Sequence, residues 1–304
     1  MSSLPVPRTE TTDFSLPGVM HRASIRGAEC TTFAIGGPCT ALYDISSCDA
    51  LRAMLRALQQ QSRSYRILGA GSNLVIPDEG VVDVIVRLTG EFRSIQLHGE
   101  RVQAGAAASM MTLSRNTADG GLAGFEFAAG IPGSVGGGVR MNAGAHQGCF
   151  ADVVEAVQAV LPSGETVTLS NSELGFAYRH SSLPEGAIVI SAVLRLCPSD
   201  PAKIRERRAA LLAERKATQP LTDPCAGSVF KNPQGHPAAA KLIEQCGLKG
   251  SWEGGVCVSP RHANWIVNPG RKGTAEDVRT LVSRVQKVVH LDRQVALEPE
   301  IIFW

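Results

Sequence analysis

ILGAGSNLVIPDEG (residues 67–80) and FAAGIPGSVGGGVRMNAGA (residues 127–145) are the two glycine-rich stretches from which the rest of the chain can be read. The first invites comparison with a dinucleotide-binding fingerprint, and the comparison fails. A Rossmann loop must open a helix whose N-terminus faces the pyrophosphate. Here Leu74-Val75-Ile76-Pro77 follows the glycines, an extended run ending in proline. A tight turn is the ordinary reading of such a loop, but hydroxyl and amide groups beside glycines, Ser72 and Asn73, also suit a phosphate. In the second stretch, glycines permit positive φ or close backbone approach, and their N–H groups can form an anion-binding concavity. The alternative there is a string of β-turns. Two such loops in one half of the chain favour a diphosphate-bearing ligand.

Outward from these loops the chain is mixed α+β. Ser47 caps a helix with Leu51, Met54, Leu55 and Leu58 on one face. Strand-like runs cover residues 65–68, 81–88, 153–161 and 187–196. Asp200-Pro201 opens a further helix, which ends near Lys216. The segment TQPLTDP (218–224) breaks the pattern and marks a domain boundary. Beyond it, one helix is predicted from Pro237 to a stop at Gly247. Another starts at Thr274, where Asp277 completes an approximate capping box, with Val278, Leu281, Val282, Val285, Val288 and Val289 on its apolar face. The expected organisation is a flexible arm (1–20), a larger region (21–217) and a smaller α+β domain (218–304).

Composition narrows the function. The chain has 304 residues, 44% hydrophobic and 19% charged, with a net charge of +2, too small to point to nucleic acid or an anionic membrane. Eight cysteines are scattered without a Cys-x-x-Cys pair, and the histidines stand singly, so neither a disulfide framework nor a metal centre is expected. The polar N-terminal stretch lacks the apolar core of a signal peptide, and no later run is long enough to span a bilayer. The expectation is a soluble cytoplasmic protein with no obligate protein partner.

Three shorter segments carry residues of chemical interest. In YRHS (178–181) the arginine is ordinarily a surface charge or half of an ion pair. In GSVFKNP (227–233) a serine after glycine is ordinarily a turn residue. In LEPE (297–300), Glu300 leads into an apolar strand, where a carboxylate is costly unless paired or working.

Taken together and in order, these segments and HANWIVN (262–268) closely resemble the UDP-N-acetylenolpyruvoylglucosamine reductase family, from about Thr32 in TTFAIGGP to Phe303. The resemblance implies an α+β fold in which residues 21–217 form a two-lobed FAD-binding region of the vanillyl-alcohol-oxidase (PCMH) type (lobes roughly 21–88 and 89–217), followed by a substrate domain whose last strand is a candidate to return to the first lobe. It implies FAD and NADPH as cofactors, and a UDP-sugar as substrate. NADPH reduces FAD; the enolpyruvyl ether of the sugar nucleotide then takes a hydride on its methylene carbon and a proton on the adjacent carbon. Ser228 matches the proton donor, and Arg179 and Glu300 match the residues that polarise the substrate carboxylate. Gly69, Gly71, Ser72, Asn73 and Leu74, with Gly130, Pro132, Ser134, Gly137, Asn142 and Gly144, become the FAD-binding set.

Some members carry an extra loop after the arginine motif, with a tyrosine that closes over the nucleotide. The only tyrosines here are Tyr43, Tyr65 and Tyr178, so the chain resembles the shorter subtype. Tyr178, Lys231 and Asn232 are then the candidates for substrate contact, with Gln219 after them. A flavin oxidase of the same fold explains the glycine loops but not GSVFKNP or the terminal EPE. A nucleotide-binding module without turnover leaves Arg179, Ser228 and Glu300 without roles.

Overall fold

The computed structural model describes residues 14–304. Three sheets follow one another along the chain. The first has the order Val19–Arg22, Leu42–Ile45, Val84–Leu88, Tyr65–Ile67, antiparallel at its first pair and parallel thereafter. The helix Cys48–Gln60 supplies the crossover, capped by Ser47, whose hydroxyl accepts from the Ala50 N–H. The second sheet is wholly antiparallel, in the order Thr166–Ser170, Val154–Val160, Ile188–Arg195, Arg101–Gly105, Ile95–His98. One continuous core joins these two lobes, running from Leu51, Met54 and Val86 to Phe125, Phe150, Val157 and Ala192.

The third sheet has the order Cys225–Ser228, Trp265–Val267, Val256–Val258, Trp252–Glu253. It is flanked by helices Ala239–Gln245 and Ala275–Arg293. Its core is separate and draws in Phe33, Ile35 and Val75 from the first lobe. Ile302–Phe303 pairs in parallel with Leu74–Val75, so the chain's last strand lies beside the first glycine loop. Asp78 further ties the two parts together, because its carboxylate accepts the Ala275 and Glu276 N–H groups at the start of the last helix.

The α+β class and the two-lobed region followed by a smaller α+β domain are as expected. The capping box at Thr274 and Asp277 is present in both directions. Four details differ. The arm expected over residues 1–20 lies partly outside the described residues, and its described part is not free: Phe14 is buried edge-on to Tyr43 at 5.4 Å, and Val19 and Met20 belong to a strand. The helix expected from Pro237 begins at Ala239. A helix at Met110–Asp119, capped by Ser109, was not anticipated. Finally, Val135–Arg140 is a helix, which neither the anion-binding concavity nor the alternative string of turns had included. Glycine is a poor helix former, but Gly136 lies so close to Ala106, and Gly138 to Phe150, that a larger residue at either position would collide with its neighbour.

Candidate functional site

The two glycine loops meet face to face. The Ser72 hydroxyl donates to the Pro132 carbonyl at 2.9 Å, and a Cβ on Gly69 would stand 2.7 Å from the Ser134 oxygen. Ser134 caps the glycine helix by accepting from the Gly137 N–H. Asn73 donates its amide to the Glu300 carbonyl at 3.0 Å, and its own carbonyl accepts from the Ile302 N–H. Ser72 and Asn73 thus each spend one donor on holding the loops, while both still line the smaller cavity. The main chain offers further donors. Among the described residues, the N–H groups of residues 69–73 make no hydrogen bond to the rest of the backbone.

These loops sit where two cavities join. A large cleft of about 1480 Å³ runs between the first two lobes, lined by Arg22, Asp44, Arg87 and Ala106 among others. A smaller one of about 300 Å³ opens toward the third sheet. Gly69, Ala70, Pro132, Gly133, Ser134, Gly137 and Arg140 line both. An elongated ligand with a diphosphate in its middle fits that junction, because unpaired N–H groups there can take the negative charge. Gly137 is open on this side: a Cβ would meet nothing closer than the Ser134 oxygen at 3.4 Å.

Arg179, Ser228 and Glu300 all line the smaller cavity, with Gly71, Ser72, Asn73, Leu74 and Gly144. Arg179 stands at the tip of a tight turn closed by Ala177 and His180, at φ 56°. The turn is pinned from outside by Asn142, whose amide donates to the Ala177 carbonyl, and by Ser181, which donates to the Arg140 carbonyl. So held, Arg179 donates from Nε to Glu300 Oε1 at 2.6 Å and from Nη2 to the Gly144 carbonyl at 3.1 Å. Glu300 is fixed by its N–H on the Val229 carbonyl. Burial pushes its carboxyl above the usual range, and the charges of Arg179 and Lys231 pull against that rise. Ser228 lies opposite Trp265 in the third sheet.

Five expected contacts do not line either cavity. Asn142 has both ends of its amide engaged, accepting from the Ala151 N–H as well as donating to Ala177. Gly130, at φ 75°, is packed against Leu212 and Arg215. Lys231 pairs with Glu298 at 2.5 Å. Asn232 accepts from the Ala239 N–H, at the start of a helix, and Tyr178 accepts from the Asn232 N–H. Gln219 does line the smaller cavity. Sequence reasoning missed Arg215, Trp265, Arg140 and Trp304, which line it too. Trp265 lies within HANWIVN, but no role was legible there; Arg215 reads as one basic residue in an arginine-rich helix.

The family relationship settles what kind of chain this is. A profile of the UDP-N-acetylenolpyruvoylglucosamine reductase C-terminal domain matches residues 219–304, and one of the FAD binding domain matches residues 41–170. UDP-N-acetylenolpyruvoylglucosamine reductase 2 of Symbiobacterium thermophilum is 44% identical over 289 residues, covering 95% of this chain and 93% of its own. The chain belongs to the UDP-N-acetylenolpyruvoylglucosamine reductase family. The Bacillus subtilis reductase of that name is 37% identical, with 90% of each chain covered. The crystal structure of the family member from Thermus caldophilus superimposes with a TM-score of 0.82 at 38% identity, covering 94% of this chain and 100% of that one. Among the described residues no cluster of His, Cys, Asp or Glu is placed to hold a metal, and no helix is long and apolar enough to cross a membrane.

Proposed function

We propose that this chain catalyses the NADPH-dependent, FAD-mediated reduction of UDP-N-acetyl-3-O-(1-carboxyvinyl)-glucosamine to UDP-N-acetylmuramate, a peptidoglycan precursor, in the cytoplasm. The observation that carries this reading is the convergence of Arg179, Ser228 and Glu300 with both glycine loops on one small cavity. FAD, when bound, supplies the relay that accepts a hydride from NADPH and passes it to the substrate. Residues 69–73 would hold its diphosphate through main-chain N–H groups, with Pro132, Ser134 and Gly137 forming the opposite wall.

Each member of the trio then has a task set by its surroundings. Arg179 already spends Nε on Glu300 and Nη2 on Gly144, which orients its planar fork so that the remaining N–H groups can meet a carboxylate. Hydride addition to the methylene carbon pushes charge onto that carboxylate, so a fixed guanidinium there favours the transition state over the ground state. Glu300 holds Arg179 in place from the side away from the substrate, and burial pushes its carboxyl up against the pull of Arg179 and Lys231. Ser228 presents its hydroxyl as the proton donor to the adjacent carbon.

Ser228→Ala separates this from its rivals. The substituted protein should bind flavin and be bleached by NADPH at nearly the normal rate. Recolouring by the enolpyruvyl substrate should slow by at least ~10²-fold, the lower range for a positioned general acid. Recolouring at the normal rate would remove Ser228 from the chemistry.

A further inference from the structure

Three buried side-chain atoms in and around the smaller cavity have no hydrogen-bond partner among the described residues: Arg215 Nε, Gln219 Oε1 and Trp265 Nε1. Only five such atoms occur in the described residues, so three of the five fall on one cavity of about 300 Å³. Arg215 is 7% exposed and Trp265 is 4% exposed. Arg215 forms no ion pair among the described residues, and burial alone pushes its pKa down. Gly130 makes room for it, since a Cβ there would stand 3.2 Å from Arg215 Nε. A guanidinium in that position is costly to bury unless something outside the chain meets it.

The three atoms have a chemical pattern. Arg215 and Trp265 can only donate, and the unpaired Gln219 atom is an acceptor. A pyrimidine-2,4-dione edge presents the complement, a carbonyl or ring-nitrogen acceptor, then an N–H donor, then a second carbonyl. Two molecules at this site carry that edge, the isoalloxazine of FAD and the uracil of the UDP-sugar. The cavity's other lining favours the flavin. Arg179, Ser228 and Glu300 serve the reacting end of the substrate, and a uracil stands a ribose, a diphosphate and a hexose away from that end. The redox ring, by contrast, must lie within contact of the reacting carbon.

We infer that Arg215, Gln219 and Trp265 read the dione edge of the flavin ring, with Arg215 on the N1–C2 carbonyl side. The inference rests on FAD occupying this cleft as proposed above. It gives Arg215 a function beyond binding. The reduced ring holds more electron density at N1 and O2 than the oxidised one, so a buried guanidinium beside them favours reduction.

The test is the midpoint potential of the flavin in the purified holoenzyme, measured by anaerobic equilibration with a reference dye. Arg215→Met should shift the balance toward oxidised flavin by about 100-fold, which is ~60 mV at ~30 mV per tenfold for a two-electron couple. Trp265→Phe, which also removes a donor, should shift it in the same direction by about tenfold, and Gln219→Leu, which removes an acceptor from the ring N–H, should shift it in the opposite direction by about tenfold. UDP binding to the same holoenzymes, followed by calorimetry, should change less than about twofold. Unshifted potentials would overturn the inference, and unshifted potentials with UDP binding weakened tenfold or more would hand the edge to the uracil. If Arg215→Met holds no flavin, the potentials of the other two variants decide. An unsubstituted protein that holds no flavin would instead overturn the placement of FAD in the cleft.

Discussion

Arg179 adopts φ 56°, a left-handed conformation that a non-glycine residue takes only at some cost and that often marks a working residue. What it gains is a position at the tip of a turn, with two N–H groups already committed to Glu300 and Gly144. Lysine at this position keeps the charge but has no fork to share among three acceptors. Arg179→Lys should therefore be bleached by NADPH normally yet turn over substrate at least ~10-fold more slowly. Normal steady-state turnover would make the residue a surface charge. Glu300 carries a pH consequence. Burial raises its pKa on folding, against Arg179 and Lys231. A carboxyl whose pKa is higher when folded contributes its full stability below the unfolded value, about 4.3, and loses it as pH rises through the folded value. Glu300→Gln stays neutral throughout, so its Tm should climb relative to the unsubstituted protein as pH rises from about 4 through the raised folded pKa. A Tm difference independent of pH, read by calorimetry, would show Glu300 unperturbed. At this scale the trio was legible through its motifs. Arg215 was not, because among Arg205, Arg207, Arg208 and Lys216 nothing marks it as the one turned inward.

The helix Val135–Arg140 is the element on which the cleft depends. Three consecutive glycines weaken it, and each would cost about 1 kcal/mol relative to alanine in an isolated helix. Close packing against Ala106 and Phe150, and the Ser134 cap, override that preference. This is why no helix was legible in these residues. The two neighbouring glycines have different jobs. Gly71 sits at φ 64°, with the Cys30 carbonyl where a Cβ would stand, so its replacement breaks the loop itself. Gly137 has no such constraint and faces the cavities. Gly137→Val should therefore fold, with a Tm within a few degrees of the unsubstituted protein, while losing flavin on gel filtration. Retention of flavin at the normal stoichiometry would mean that the cradle lies elsewhere. By contrast, the helix Ala275–Arg293 was legible in full, because its capping box and apolar period are both local signals.

Across the whole molecule, the site exists because distant segments are brought to one place. Glu300 reaches Arg179 only because the chain's last strand runs back beside Leu74 and Val75, and because Asn73 holds the Glu300 carbonyl. Such a parallel pairing across more than two hundred residues leaves no mark in local periodicity, and a two-residue strand gives little pattern to read. The strands and helices of the two lobes were visible, but their division into lobes came from the family resemblance. The cavities between the lobes were not legible, since they depend on how distant elements pack against one another. What joins these levels is a single claim, that reducing equivalents pass from NADPH through flavin in this cleft to an enolpyruvyl group. The purified protein should be yellow, and NADPH should bleach it in the absence of oxygen. Mixing the bleached protein anaerobically with the enolpyruvyl UDP-sugar in a stopped-flow instrument should restore the colour in full, one substrate per flavin, whereas UDP-N-acetylglucosamine should not. A bleached protein that stays colourless with the enolpyruvyl substrate and recolours only when oxygen is admitted would contradict that claim and make the chain an oxidase.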